Sequence, residues 1–194
     1  MHPFARVLAI AYIVLAAVGA VVYVSATVNY VNVTDVQIRL GSFVSVVGVS
    51  LNWSGNASDV ARVVVAFKVT NPGNVALIVM NVDFSLYMDN PTDARRWFDP
   101  AKLVTTFVAP GGFDLGRETG PVVHPGETRT FDAIVVVEPG THRMDVLNRS
   151  DASGRFHPIV WGPRIVYTFV DFDVQDSVYL DPYYSEAGVV ANGP

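Results

Sequence analysis

From Val7 to Ala26 the chain reads VLAIAYIVLAAVGAVVYVSA, a stretch without a single charge. As a helix it would be about 30 Å long at about 1.5 Å per residue, the thickness of the hydrocarbon core of a bilayer. Because that core offers no water to backbone N–H and C=O groups, an isolated apolar stretch of this length is stable there only as a helix. We therefore read residues 7–26 as a transmembrane helix. Arg6 and the free amino group are the positive charges on its N-terminal side, and the nearest charge on the other side is Asp35. Such asymmetry holds the positive flank in the cytoplasm. The expectation is a single-pass signal-anchor in the cell membrane, with residues 1–6 cytoplasmic and the rest at the cell surface. A cleaved signal peptide is the alternative, since Val24-Ser25-Ala26 has the small-residue spacing of a cleavage site. The run exceeds the usual apolar region of a signal peptide, about 7–15 residues, which favours the anchor.

Beyond the span the pattern changes to short apolar runs of period two, interrupted by Gly, Pro, Asn and Asp. This is the signature of an all-β sandwich. Candidate strands are Val28 to Leu40, Phe43 to Trp53, Val60 to Thr70, Val75 to Met88, Leu103 to Ala109, Glu127 to Val137 and Ile159 to Val174. In the third, Val63, Val65, Phe67 and Val69 face one way and Arg62, Lys68 and Thr70 the other. Val82, Phe84 and Leu86 alternate with Asn81, Asp83 and Ser85, and Phe131, Ala133, Val135 and Val137 form another inward row. A short helix is expected at Thr141 to Asn148, where Met144 and Leu147 are one turn apart. The expected organisation is one sandwich domain over residues 27–185 and a flexible Gly/Asn/Pro tail over 186–194.

Charge and residue content restrict the functions open to this chain. A formal charge of −5 offers no attraction to phosphate backbones, so no nucleic-acid partner is expected. Cysteine is absent, which removes disulfides, thiolate metal sites and a cysteine nucleophile. The four histidines, His2, His124, His142 and His157, show neither zinc-ligand spacing nor a nucleophile-elbow motif nearby. No catalytic residue and no cofactor are expected, and the chain is read as a non-enzyme.

Four features stand out as candidate sites. Asp171, Asp173 and Asp176 are a weak calcium candidate, since hard cations favour clustered carboxylates; the same alternation also describes a half-solvated strand, and that reading leads. Arg95-Arg96-Trp97 is a candidate binding loop, an adjacent cationic pair among Asp89, Asp93 and Asp99. Tyr179, Tyr183 and Tyr184 read as a patch for a partner or as the cover of a core edge. Sequons at Asn32, Asn52, Asn56 and Asn148 are glycosylation candidates in an extracytoplasmic domain, with Asn56 the most accessible in its Ser54-Gly55-Asn56-Ala57-Ser58 setting.

The stretch VVVAFKVTNPGNVALIVMNVDFSLYMDN, Val63 to Asn90, resembles the late embryogenesis abundant group 2 family and its water-stress and hypersensitive-response (WHy) domain. The resemblance rests on a strand, then Asn71-Pro72, then a strand ending Leu86-Tyr87. Pro110-Gly111-Gly112, Pro125-Gly126-Glu127, the Phe131 to Val137 strand, the short helix and the last strands follow in the family's order. PTDARRWFDP, Pro91 to Pro100, is longer than the family's usual loop. The resemblance implies a seven-stranded fibronectin-III-like (immunoglobulin-like) sandwich with one short helix, and a non-catalytic binding or protective role of the stress or desiccation type. The alternative is an accessory subunit of a membrane complex or surface filament, whose helix or sandwich packs on protein partners.

Overall fold

The computed structural model describes residues 3–89, 109–150, 157–184 and 191–192. Helix α1 (Pro3–Arg39) runs unbroken for 37 residues. Proline is tolerated at its start, where the missing N–H would have no intrahelical partner. The helix expected over residues 7–26 therefore continues well past Ala26, and the first expected strand, Val28 to Leu40, is helix as far as Arg39. Two periods compete in that segment. Val31, Val33 and the residues after them alternate, but Val33, Val36 and Leu40 also lie three and four residues apart on one helical face. These three are buried, while Val28, Tyr30, Val31 and Ile38 remain exposed. Extending a helix already nucleated in the apolar run adds one hydrogen bond for each residue ordered, so helix wins. An Asp35–Arg39 ion pair of 2.9 Å, four residues apart, supports the last turn. A 3-10 turn at Leu40–Phe43 then delivers the chain to the first strand.

The strands are β1 (Val44–Asn52), β2 (Ala61–Thr70), β3 (Leu77–Asp89), β4 (Ala109–Asp114), β5 (Val122–Val123), β6 (Thr128–Val137), β7 (His157–Phe169), β8 (Gln175–Tyr179), β9 (Tyr183–Tyr184) and β10 (Ala191–Asn192). Short helices α2 (Gly116–Thr119) and α3 (His142–Ser150) interrupt them. One sheet has the order β10-β1-β2-β6. The other runs β4-β3-β7-β8, with β5 beside β3 and β9 beside β7. All pairings among the described strands are antiparallel except β1 with β10, where Leu51 and Asn52 pair with Ala191 and Asn192. Those two residues of the expected flexible tail thus extend the edge of a sheet.

The sheets pack face to face through the rows that alternation marked. Val63, Val65, Phe67 and Val69 are fully buried, as are Val82, Phe84 and Leu86 or nearly so. The Phe67 and Phe84 rings meet across the layers at 5.6 Å. Met144 and Leu147 of α3 are buried, so the expected short helix covers part of this core. A bulge between Val46 and Gly48 ejects Val47 from the register of β1. It is 49% exposed, which accounts for an outward valine in a row otherwise facing the core.

Two further expectations change. The strand Ile159 to Val174 ends at Phe169, and residues 170–174 form a turn into β8, which sequence alternation did not separate. Of the expected strand Leu103 to Ala109, residues 103–108 lie outside the described residues, and Ala109 opens β4.

Candidate functional site

At the end of the sandwich that receives α1, buried hydrogen bonds and a close helix contact fix the surface. Its centre is Asn71, buried at the end of β2. Pro72 cannot extend the ladder and releases the chain into a turn. The Asn71 amide holds that turn: Nδ2 donates to the carbonyls of Val75 (2.8 Å) and Val123 (2.9 Å), and Oδ1 accepts from the N–H of Gly73 (3.0 Å). Its own backbone N–H donates to Glu127 O, and its carbonyl accepts from Gly126 N–H. One buried side chain thus satisfies polar groups of two turns that are far apart in sequence, the condition under which burial of an amide is tolerated.

Gly73 follows because α1 lies against it. A β-carbon at this position would collide with Cγ2 of Val36. The Asn71-Pro72-Gly73 turn is therefore the seat of the long helix. A second turn backs it. The Glu127 carboxylate accepts from His124 N–H (2.8 Å) and from Arg129 Nε (2.7 Å), and these hydrogen bonds hold its pKa below the ordinary carboxylate value. His124 is thereby engaged through its backbone in a turn before Pro125.

Arg117 on α2 fastens the adjoining turn, pairing with Asp173 (2.9 Å) and donating to the carbonyls of Phe169 and Val170. The calcium candidate lies at this turn. Asp171 and Asp173 sit in the turn, Asp173 is occupied by Arg117, and Asp176 on β8 accepts from the Tyr167 hydroxyl (3.4 Å) and from Ser177 N–H (2.7 Å). Among the described residues no group of three or more His, Asp or Glu side chains is placed to hold a metal ion.

The candidate binding loop Arg95, Arg96 and Trp97 lies outside the described residues. Of the tyrosines, Tyr179 is 70% exposed with the Arg164 guanidinium 5.9 Å from its ring centroid, and Tyr183 is half-buried. Arg164 is also held by Asp83 through bonds of 2.9 and 2.6 Å, and that carboxylate raises its pKa. The pair joins β3 to β7 across 81 residues of sequence, and no local pattern signals it. A crevice of about 300 Å³ opens between β1 and the segment after β8, lined by Val44, Ser45, Val46, Tyr179, Leu180 and Tyr183.

The four sequons have different settings. Asn32 is half-buried on α1 next to the buried Val33, Asn52 is exposed at the end of β1, and Asn148 is exposed on α3. Asn56 is exposed in the turn at the far end of the sandwich, where its Oδ1 accepts from Ser58 N–H and its carbonyl from the Trp53 indole.

No protein-family model matches the chain, and no curated protein matches it. Among solved structures it is similar to a protein of Arabidopsis thaliana determined in solution, with 15% identity over 78% of this chain and 82% of that one and a TM-score of 0.42. It is also similar to a protein of Archaeoglobus fulgidus, with 11% identity over 73% of this chain and 96% of that one and a TM-score of 0.36. Likeness at this level establishes neither family nor function.

Proposed function

We propose that the protein is a non-catalytic, membrane-anchored module that displays one β-sandwich outside the cytoplasm for binding or protection at the cell surface. The observation that carries this reading is the continuity of α1. A helix that is uncharged and exposed over most of its length runs without a break into the domain, where Val33, Val36 and Leu40 join the core and Val36 rests on Gly73. Exposed apolar side chains of that density are stable in lipid, not in water. Arg6 as the nearest N-terminal charge supports an orientation with the N-terminus cytoplasmic.

The finer reading is a fibronectin-III-like sandwich of the late embryogenesis abundant group 2 type, with a stress or desiccation role. Its support is the sequence resemblance around Asn71-Pro72, and the finding that this turn is a buried, hydrogen-bonded element. A second reading, an accessory subunit of a membrane complex or surface filament, draws on the outer face of the first sheet. There Ile134 and Val136 are 50% and 44% exposed beside Val64 and Arg62.

Protease added to right-side-out vesicles tests the anchor and its orientation. Digestion of the sandwich to a small membrane-bound stub is expected, and protection of the whole domain would reverse the orientation. A mature N-terminus at Thr27 would replace the anchor by a cleaved signal peptide. Gentle detergent extraction separates the two functional readings: a lone module migrates as a monomer, whereas a subunit co-purifies with stoichiometric partners.

A further inference from the structure

We infer that the end of the sandwich that seats α1 rests on the lipid headgroup layer, so that the domain stands directly on the membrane instead of swinging from a tether. The inference rests on the reading of α1 as a membrane anchor. It begins from a length. Val7 to Thr34 is a run of 28 residues without charge, all of it within α1. At about 1.5 Å per residue it is about 42 Å long, which matches a bilayer including both headgroup layers, about 40–45 Å. The domain covers the helix from Val33 onward, and Val36 lies against Gly73. The run thus ends where the domain begins, with no spacer between them. A flexible linker at this point would let the domain drift away from the surface. A helix whose side of contact is fixed by Val36, Leu40 and the hydrogen-bonded turn of Asn71 does not.

The surface at this end suits the position. Phe43 and Val170 are each 41% exposed and Val174 is 38% exposed, on the 3-10 turn and on the turn between β7 and β8. Val170 N–H donates to Ala76 O, which places that turn beside the seat of the helix. Tyr30, 72% exposed on α1 three residues before Val33, falls at the level where amphipathic aromatic rings collect at membrane interfaces. The charges here are largely paired within the protein: Asp35 with Arg39, Asp173 with Arg117, Glu127 with Arg129. Asp171 and Glu118 add negative charge, so the end carries no cationic excess that would draw it to anionic lipid. The partner it fits is a zwitterionic headgroup layer, met through apolar side chains at shallow depth. The opposite end carries the polar turn of Ser54, Asn56, Ser58 and Asp59.

The sequence contains no cysteine, so single probes can be placed cleanly on this chain. Val174→Cys and Ser58→Cys, each labelled with an environment-sensitive fluorophore, would be reconstituted into phosphatidylcholine vesicles that contain headgroup spin-labelled lipid. The expected result is flotation of both variants with the vesicles, with loss of emission at position 174 and retention at position 58. Substituting phosphatidylserine for part of the phosphatidylcholine should leave that contrast unchanged. Flotation with equal emission at both positions would overturn the inference and leave the anchor standing. Failure to float would overturn the anchor itself, and the inference with it. A contrast that appears only with phosphatidylserine would overturn the zwitterionic assignment.

Discussion

Gly73→Ala isolates the contact between α1 and the sandwich. The backbone at Gly73 does not adopt a positive φ, so alanine is not refused on conformational grounds. It is refused by Val36, whose Cγ2 occupies the place of the new methyl group, with Asn71 Oδ1 at 3.5 Å from the same point. Asn71 cannot yield without losing three hydrogen bonds, and Val36 is fully buried on a helix fixed by its neighbours. Overpacking of this kind costs about 1–3 kcal/mol. Val36→Ala alone should cost about 2 kcal/mol, from two methyl groups at about 0.8 kcal/mol each and the cavity they leave. In the double variant the shortened side chain at position 36 has no γ-carbon, so the clash is gone. The pair should then cost about as much as Val36→Ala alone, a coupling of about 1–3 kcal/mol in the compensating direction. Guanidinium melts of the full-length protein in detergent, followed by tryptophan fluorescence, would measure it, since Trp53 is only 3% exposed. Additivity of the two single costs to within about 0.5 kcal/mol would mean that Val36 and Gly73 do not touch, and the account of the helix seat would fail.

Phe67, fully buried between Val46 and Phe131 and facing Phe84, should cost about 3–5 kcal/mol as Phe67→Ala, whereas the adjacent outward Lys68→Ala should stay within about 0.5 kcal/mol of wild type; equal losses would mean a register slipped by one residue. Glu127 has its pKa lowered by His124 N–H and Arg129, so its contribution to stability is full above the ordinary carboxylate pKa and is lost as pH falls through the lowered value. Glu127→Gln should therefore flatten the acid limb of the melting-temperature profile below about pH 4.3, and an unchanged limb would remove Glu127 from the account. With Asp173 held by Arg117 and Asp176 by Tyr167, neither chelator nor millimolar calcium should move the melting temperature; a rise of many degrees with calcium would show that these carboxylates are ligands.

Local pattern alone determined the elements whose environment is uniform along their length. The charge-free run from Val7 needs only its own length to be read as a helix that fits a bilayer, and β2, β3 and β6 sit where period-two alternation put their inward rows, because each has one face on the core and one on solvent. Where an element changes neighbours the pattern became ambiguous. Val28 to Leu40 fits a strand and a helix on paper; propagation from the apolar run carries the helix on, and the Asn71-Pro72-Gly73 turn against Val36 decides which face of it is buried. The turn after Phe169 was hidden in the same way: Asp171, Phe172 and Asp173 alternate like a strand, but Arg117, more than fifty residues earlier, holds them as a turn. Asn71 shows the division most clearly. The sequence marks it as a residue that ends a strand; its role as the buried joint between two turns exists only once Val75, Val123 and Gly126 have been brought around it, since hydrogen bonds between segments so far apart along the chain leave no trace in local composition.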